Sequence, residues 1–121
     1  AAPHCAATQN KEMLDGVAAV LLDTANDFRA GAAGAHAFAA LSGVYRRLCS
    51  WRKNVDGDLQ GSLEMPMAVG TVGGSVSSHP TAAICLKILG VKKATELTEI
   101  AASVGMARGL IALDCSVSRG H

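Results

Sequence analysis

From Phe28 to about Leu41 the chain is dominated by Ala and Gly, and this shortage of large side chains limits what it can fold into. Half of its residues are apolar, but much of that share is Ala and only 3% of residues are aromatic. An alanine buries little area, at ~25 cal/mol per Å² of apolar surface removed from water. Such a core depends on close backbone approach between helices. It also suits burial against something outside the chain, so a fragment or an obligate oligomer is expected rather than a robust monomer. The length of 121 residues allows one domain and not two of ordinary size.

Hydrophobic spacing sets the expected elements. Leu14, Val17, Ala18, Leu21 and Leu22 repeat at helical spacing from about Lys11, after a first dozen residues without strong periodicity. Asn26–Asp27 is a turn or N-cap signal that closes this helix and starts another over Phe28 to about Leu41, ended by Ser42–Gly43. Residues 48–53 read as a strand, Asn54–Val55–Asp56–Gly57 as a turn, and residues 59–65 as the returning strand of a hairpin. Pro80 suits the first position of a helix. Ile84, Leu86, Ile88 and Leu89 make that helix mostly buried as far as Gly90. A last amphipathic helix starts near Lys92, with Leu97, Ile100, Ala101 and Val104 inward and Glu96 and Glu99 outward. The fold class is α+β, mostly helical with one β-hairpin.

Charge and composition exclude several functions. A net charge of +1 and the lack of a basic stripe interleaved with aromatics argue against nucleic-acid binding. No apolar run approaches the ~20 residues of a membrane span. Cys5, Cys49, Cys85 and Cys115 form no CxxC pair; in a secreted domain they could make two disulfides, but with no leader-like stretch in the sequence free thiols in a reducing cytoplasm are the expectation. No metal site is assigned.

The residues that bear chemistry each carry an ordinary alternative. Gly70–Thr71–Val72–Gly73–Gly74 is neither the GxGxxG fingerprint nor a Walker loop. It is either a tight turn between elements or a backbone that lets a ligand approach closely because no Cβ intervenes. Lys11 is a solvated charge or a functional ammonium, Asp27 a helix cap or a functional carboxylate, and His121 a tail residue or a proton donor. Lys11 and Asp27 stand sixteen residues apart, roughly 24 Å along one continuous helix. They meet only if the chain reverses between them, which a break near Asn26 allows.

Several segments together resemble one family. Leu63 to Gly74 with Ser78–His79–Pro80, Ala7–Thr8–Gln9–Asn10–Lys11, and Ala25–Asn26–Asp27–Phe28–Arg29–Ala30 resemble motifs of class II 3-hydroxy-3-methylglutaryl-CoA (HMG-CoA) reductase. This is the bacterial and archaeal type of that enzyme. Gly34 to Ala39, Ser50–Trp51–Arg52–Lys53 with its hairpin, Leu86 to Gly90, and Ser118–Arg119–Gly120–His121 are similar as well, in the same order over nearly the whole chain. The resemblance implies reduction of HMG-CoA to mevalonate and CoA, a step of isoprenoid biosynthesis, with NADH or NADPH as hydride donor. It implies a cytoplasmic protein and a homo-oligomer based on dimers, with active sites at the subunit interface.

By the same resemblance Lys11, Asp27 and His121 are catalytic. Lys11 stabilises charge on the thioester oxygen, Asp27 favours the charged lysine, and His121 protonates the CoA thiolate. Asn10 and Asp15 are substrate-binding, and Gly70, Gly73 and Gly74 cofactor-binding. Residues 1–121 are expected to be part of the large, substrate-binding domain. The nucleotide-binding small domain, an upstream catalytic glutamate and the C-terminal flap are expected to be absent from it, so the isolated chain lacks full activity. The alternative is a non-catalytic diverged remnant or subunit that keeps the dimer surface and acyl-CoA binding. Local departures favour it: Glu12 stands for a usual glycine, Asp15 for asparagine and Arg108 for a glutamine, while Cys5, in place of a common substrate-binding arginine, bears on activity.

Overall fold

A computed structural model describes residues 3–69 and 79–111. The elements are helices α1 (Pro3–Asp23) and α2 (Arg29–Ala39), strands β1 (Cys49–Lys53) and β2 (Leu59–Leu63), and helices α3 (Pro80–Leu89) and α4 (Ala94–Ile111). The α+β class and the single hairpin are as expected. None of the described helices is long and apolar enough to cross a membrane.

The first helix begins about two turns before the expected start. Cys5, Ala6, Gln9, Asn10, Met13, Leu14, Val17 and Leu21 are all buried and follow the i, i+3, i+4 pattern of one helix face. Two of those positions are the polar Gln9 and Asn10, which conceal the stripe from a hydrophobicity reading.

That stripe packs along α4, and glycines make the approach possible. A Cβ added to Gly16 would stand 2.9 Å from the Cα of Gly105, and one added to Gly105 would stand 2.8 Å from the carbonyl oxygen of Met13. Gly109 lies against the Met13 side chain. Met13, Val17, Leu21, Leu97 and Ala101 are fully buried around this seam. Alanines complete the core: Ala35 and Ala39 of α2 and Ala82 of α3 are buried as well.

Two expected orientations are corrected. Only Ala82 and Leu86 of α3 are buried, whereas Ile84 (58%) and Ile88 (79%) are exposed. An apolar run does not say which of its faces meets the core. In α4, Val104 is 38% exposed, because the helix turns the stripe Leu97, Ala101, Gly105 and Gly109 inward. The inward glycines carry no hydrophobic signal.

The C-terminal ends of α1 and α3 are set by left-handed residues. Gly90 (φ 71°) closes α3, with Val91 N–H donating to Leu86 O and Gly90 N–H to Lys87 O. The same paired pattern closes α1, where Asn26 N–H donates to Leu21 O (2.8 Å) and Ala25 N–H to Leu22 O (3.1 Å). Here the left-handed position is taken by Ala25 (φ 62°), the one non-glycine with positive φ among the described residues.

The hairpin pairs β1 and β2 antiparallel, with Cys49 opposite Leu63 and Trp51 opposite Gly61. Asn54 Oδ1 accepts from the N–H groups of Asp56 and Asp58, and Gly57 (φ 86°) completes the turn. The Trp51 ring lies over Gly61 beside Met106, which joins the hairpin to α4. The cysteine expectation is also revised. Cys5 is disulfide-bonded, while Cys49 and Cys85 are free.

Gly16→Ala and Gly105→Ala are each expected to lower stability by about 1–3 kcal/mol, since the added methyl meets backbone atoms that do not yield. Ala25→Gly is expected to do the opposite, by about 1 kcal/mol, because glycine adopts a left-handed conformation without the Cβ penalty. Thermal and urea unfolding followed by circular dichroism measure all three. Equal stability of Gly16→Ala and the parent chain would contradict the close-packed seam.

Candidate functional site

Two clusters of polar residues lie along α1, one at its middle and one just past its C-terminal end. At the middle Lys11 is exposed, and its Nζ donates to Asp15 Oδ2 at 2.8 Å, one turn along the same helix. Beside it Glu12 accepts from Arg108 Nη2 at 2.7 Å, an ion pair that crosses from α1 to α4. The hydrogen bond and charge of Asp15, with a smaller contribution from Glu12, raise the Lys11 pKa above its ordinary value. Three of the departures noted above, Glu12, Asp15 and Arg108, are therefore not scattered. Each is in an ion pair, and the two pairs adjoin.

Asn10 is placed differently from expectation. It is 1% exposed, its Nδ2 donates to Arg46 O at 2.8 Å, and its Oδ1 accepts from Leu48 N–H at 2.8 Å. Both ends of the amide are spent on the backbone that leads into β1. Here Asn10 is a strut between α1 and the hairpin.

Past the C-terminal end of α1, residues 24–28 turn the chain into α2. Asp27 Oδ1 accepts from Arg29 N–H at 3.0 Å, satisfying a donor in the first turn of α2. Its carboxylate also takes two hydrogen bonds from the Arg29 guanidinium, at 3.1 and 2.8 Å. Those bonds from Arg29 hold the Asp27 carboxyl down at about 2. Asp27 opens on a cavity of about 760 Å³ between the end of α1, the start of α2 and the start of α3. Leu22, Arg29, His79 and Thr81 share its lining. His79 and Arg29 were not singled out from sequence as site residues. The signals were present: an Asp-x-Arg spacing that suits a charged cap, and a polar residue directly before a helix-starting proline.

Lys11 and Asp27 are not brought together within one chain. The helix runs unbroken from Lys11 to Asp23, roughly 18 Å at its standard rise. The reversal at 24–28 comes too late to return Asp27 to Lys11. His121, Gly70, Gly73 and Gly74 lie outside the described residues.

The fold matches one family. A family model for hydroxymethylglutaryl-coenzyme A reductase matches residues 1–121. The chain is 44% identical over 123 aligned residues to the 3-hydroxy-3-methylglutaryl-coenzyme A reductase of Archaeoglobus fulgidus, covering 98% of itself and 28% of that protein. It superposes on the Streptococcus pneumoniae enzyme of the same name with a TM-score of 0.86 at 41% identity, over 97% of itself and 32% of that chain. A Streptococcus pneumoniae class II enzyme bound to NADPH in open conformations matches with a TM-score of 0.85 at 41% identity, over 96% of this chain and 32% of that one. The α-helical frame with one hairpin is thus that of a class II reductase domain. The chain belongs to the hydroxymethylglutaryl-coenzyme A reductase family, and it spans less than a third of the length of these relatives.

The depressed Asp27 pKa links the α2 cap to pH. A folded pKa below the unfolded value contributes stability above about 3.8, which is lost as pH falls through about 2. NMR titration of the Asp27 carboxyl and the Arg29 amide is expected to show one shared midpoint near the lower value. A midpoint at the ordinary value would mean that the Arg29 contacts do not persist in solution.

Proposed function

We propose that this chain is part of the substrate-binding domain of an enzyme that reduces HMG-CoA to mevalonate and CoA. In it, Lys11, Asp27 and His121 act as catalytic residues. The observation that carries the reading is the solvent-facing Lys11 ammonium on the first helix of a family frame. The Lys11 charge would stabilise negative charge building on the thioester oxygen, worth most where water is excluded. The leaving thiolate, whose conjugate thiol has a reference pKa of about 8.5, would take its proton from the His121 imidazolium. Asp15 stands in reach of groups bound at Lys11, while Asn10 acts indirectly by fixing the approach to β1. A nicotinamide cofactor, NADH or NADPH, supplies hydride when bound. By the family resemblance, contact with it from this chain would fall to Gly70, Gly73 and Gly74.

A homodimer is the proposed assembly. Lys11 and Asp27 serve different parts of one copy, and Leu22, at 74% exposure, lies beside the Asp27 cavity with Ile84 and Ile88 uncovered on α3. A second copy gives those apolar side chains cover and allows a site to draw on both chains. A cytoplasmic setting accords with the free Cys49 and Cys85, whereas the Cys5 disulfide is uncommon there.

The second reading is a non-catalytic relative that keeps the dimer surface and acyl-CoA affinity. It draws on the ion pairs that already engage Lys11 and Arg108. Calorimetric titration with HMG-CoA and with CoA, comparing the parent chain with Lys11→Ala, tests the site. Loss of about tenfold in HMG-CoA affinity is expected, the order of one charge-assisted hydrogen bond. Binding that ignores Lys11 would refute the assignment. Steady turnover by the 121-residue chain alone would show that it holds more of the active site than proposed.

A further inference from the structure

Among the described residues, the charged groups around Lys11 are Asp15 and Glu12 on its own helix and Arg108 on α4. Their arrangement is unequal. Glu12 is turned toward Arg108, whose guanidinium binds it at 2.7 Å from across the helix seam. That leaves Asp15 as the carboxylate in hydrogen-bonding contact with Lys11, at 2.8 Å. The i, i+4 spacing places both side chains on one face of α1. Asp27, the carboxylate expected to favour the charged lysine, is bound at two points by Arg29 beyond the far end of the helix.

We propose that Asp15 is the positioning residue for Lys11: it holds the ammonium at one place on α1, beside the Glu12–Arg108 pair, before any ligand arrives. The four side chains then act as a unit. Arg108 draws Glu12 away from Lys11, so the lysine has one partner rather than two and a single resting direction. A ligand carbonyl or carboxylate that uses Lys11 must share it with Asp15 or displace it. Asparagine at position 15 would leave the ammonium without a charged partner of its own, free to swing toward Glu12. The raised Lys11 pKa has the same origin, with Asp15 as its largest cause.

This inference rests on Lys11 being the catalytic ammonium, but its test needs no substrate. The carbon-13 shift of Lys11 Cε, assigned with Lys11→Arg, is titrated in the ligand-free full chain. Asp15→Asn is expected to move the Lys11 midpoint to lower pH, Asp15→Glu to retain it, and Asp27→Asn to leave it in place. An unchanged midpoint in Asp15→Asn, or an equal fall in Asp27→Asn, overturns the proposal. If Asp15→Asn fails to fold, added salt on the parent chain gives the same comparison, since salt screens an exposed pair. The midpoint is then expected to fall, and a midpoint indifferent to salt overturns the proposal. Failure of Lys11→Ala to alter HMG-CoA binding would instead count against the functional reading and leave the titration intact.

Discussion

The closeness of α1 and α4 is the constraint on which the rest of the molecule depends. With few large side chains available, the two helices gain contact by bringing backbones together over Gly16, Gly105 and Gly109. Dispersion falls off steeply with distance, so backbone approach replaces what bulky side chains would otherwise provide. The seam also fixes the rotation of both helices about their axes. Met13, Val17 and Leu21 must face it, and Lys11 and Asp15 are thereby turned outward. The exposure of the lysine is a consequence of where the glycines lie.

Two buried polar contacts extend that frame beyond the helix pair. Asn10 carries the backbone at Arg46 and Leu48 on its two amide ends, so the start of β1 is tied to the turn of α1 that bears Lys11. Arg47 reaches Gln9 on the same turn. A buried amide with both ends satisfied is costly to disturb, because removing one partner strands the other. The residues before Lys11 therefore act on the site through the scaffold. The chemistry is left to the exposed face.

The charged residues then divide between the middle of α1 and the turn past its C-terminal end. Lys11 and Asp27 each have a near neighbour of opposite charge, Asp15 and Arg29, supplied by local spacing. Neither pair is deeply buried, so both are held by hydrogen-bond geometry more than by a low dielectric. The cavity beside Asp27, with the exposed Leu22 in its lining, leaves that end of α1 open.

Much of this was legible in the amino-acid sequence. The hairpin followed from Asn54 and Gly57, the α3 start from Pro80, and its end from Gly90, because each rests on local backbone chemistry. Local order also carried the family motifs, since they run through the chain in sequence. The tertiary structure decided what local rules do not reach. Gln9 and Asn10 looked like a polar interruption and became buried struts, because their hydrogen-bond partners lie more than thirty residues away. Ile84 and Ile88 looked buried and are exposed, because facing depends on what packs opposite. Lys11 and Asp27 were permitted to meet by their spacing, but a helix that runs unbroken between them to Asp23, packed against α4, keeps them apart. The sequence by itself determined the order of the elements, the ends that rest on local backbone chemistry, and the lineage. Only the packing decided which charges became partners, since a partner is set by distance in space.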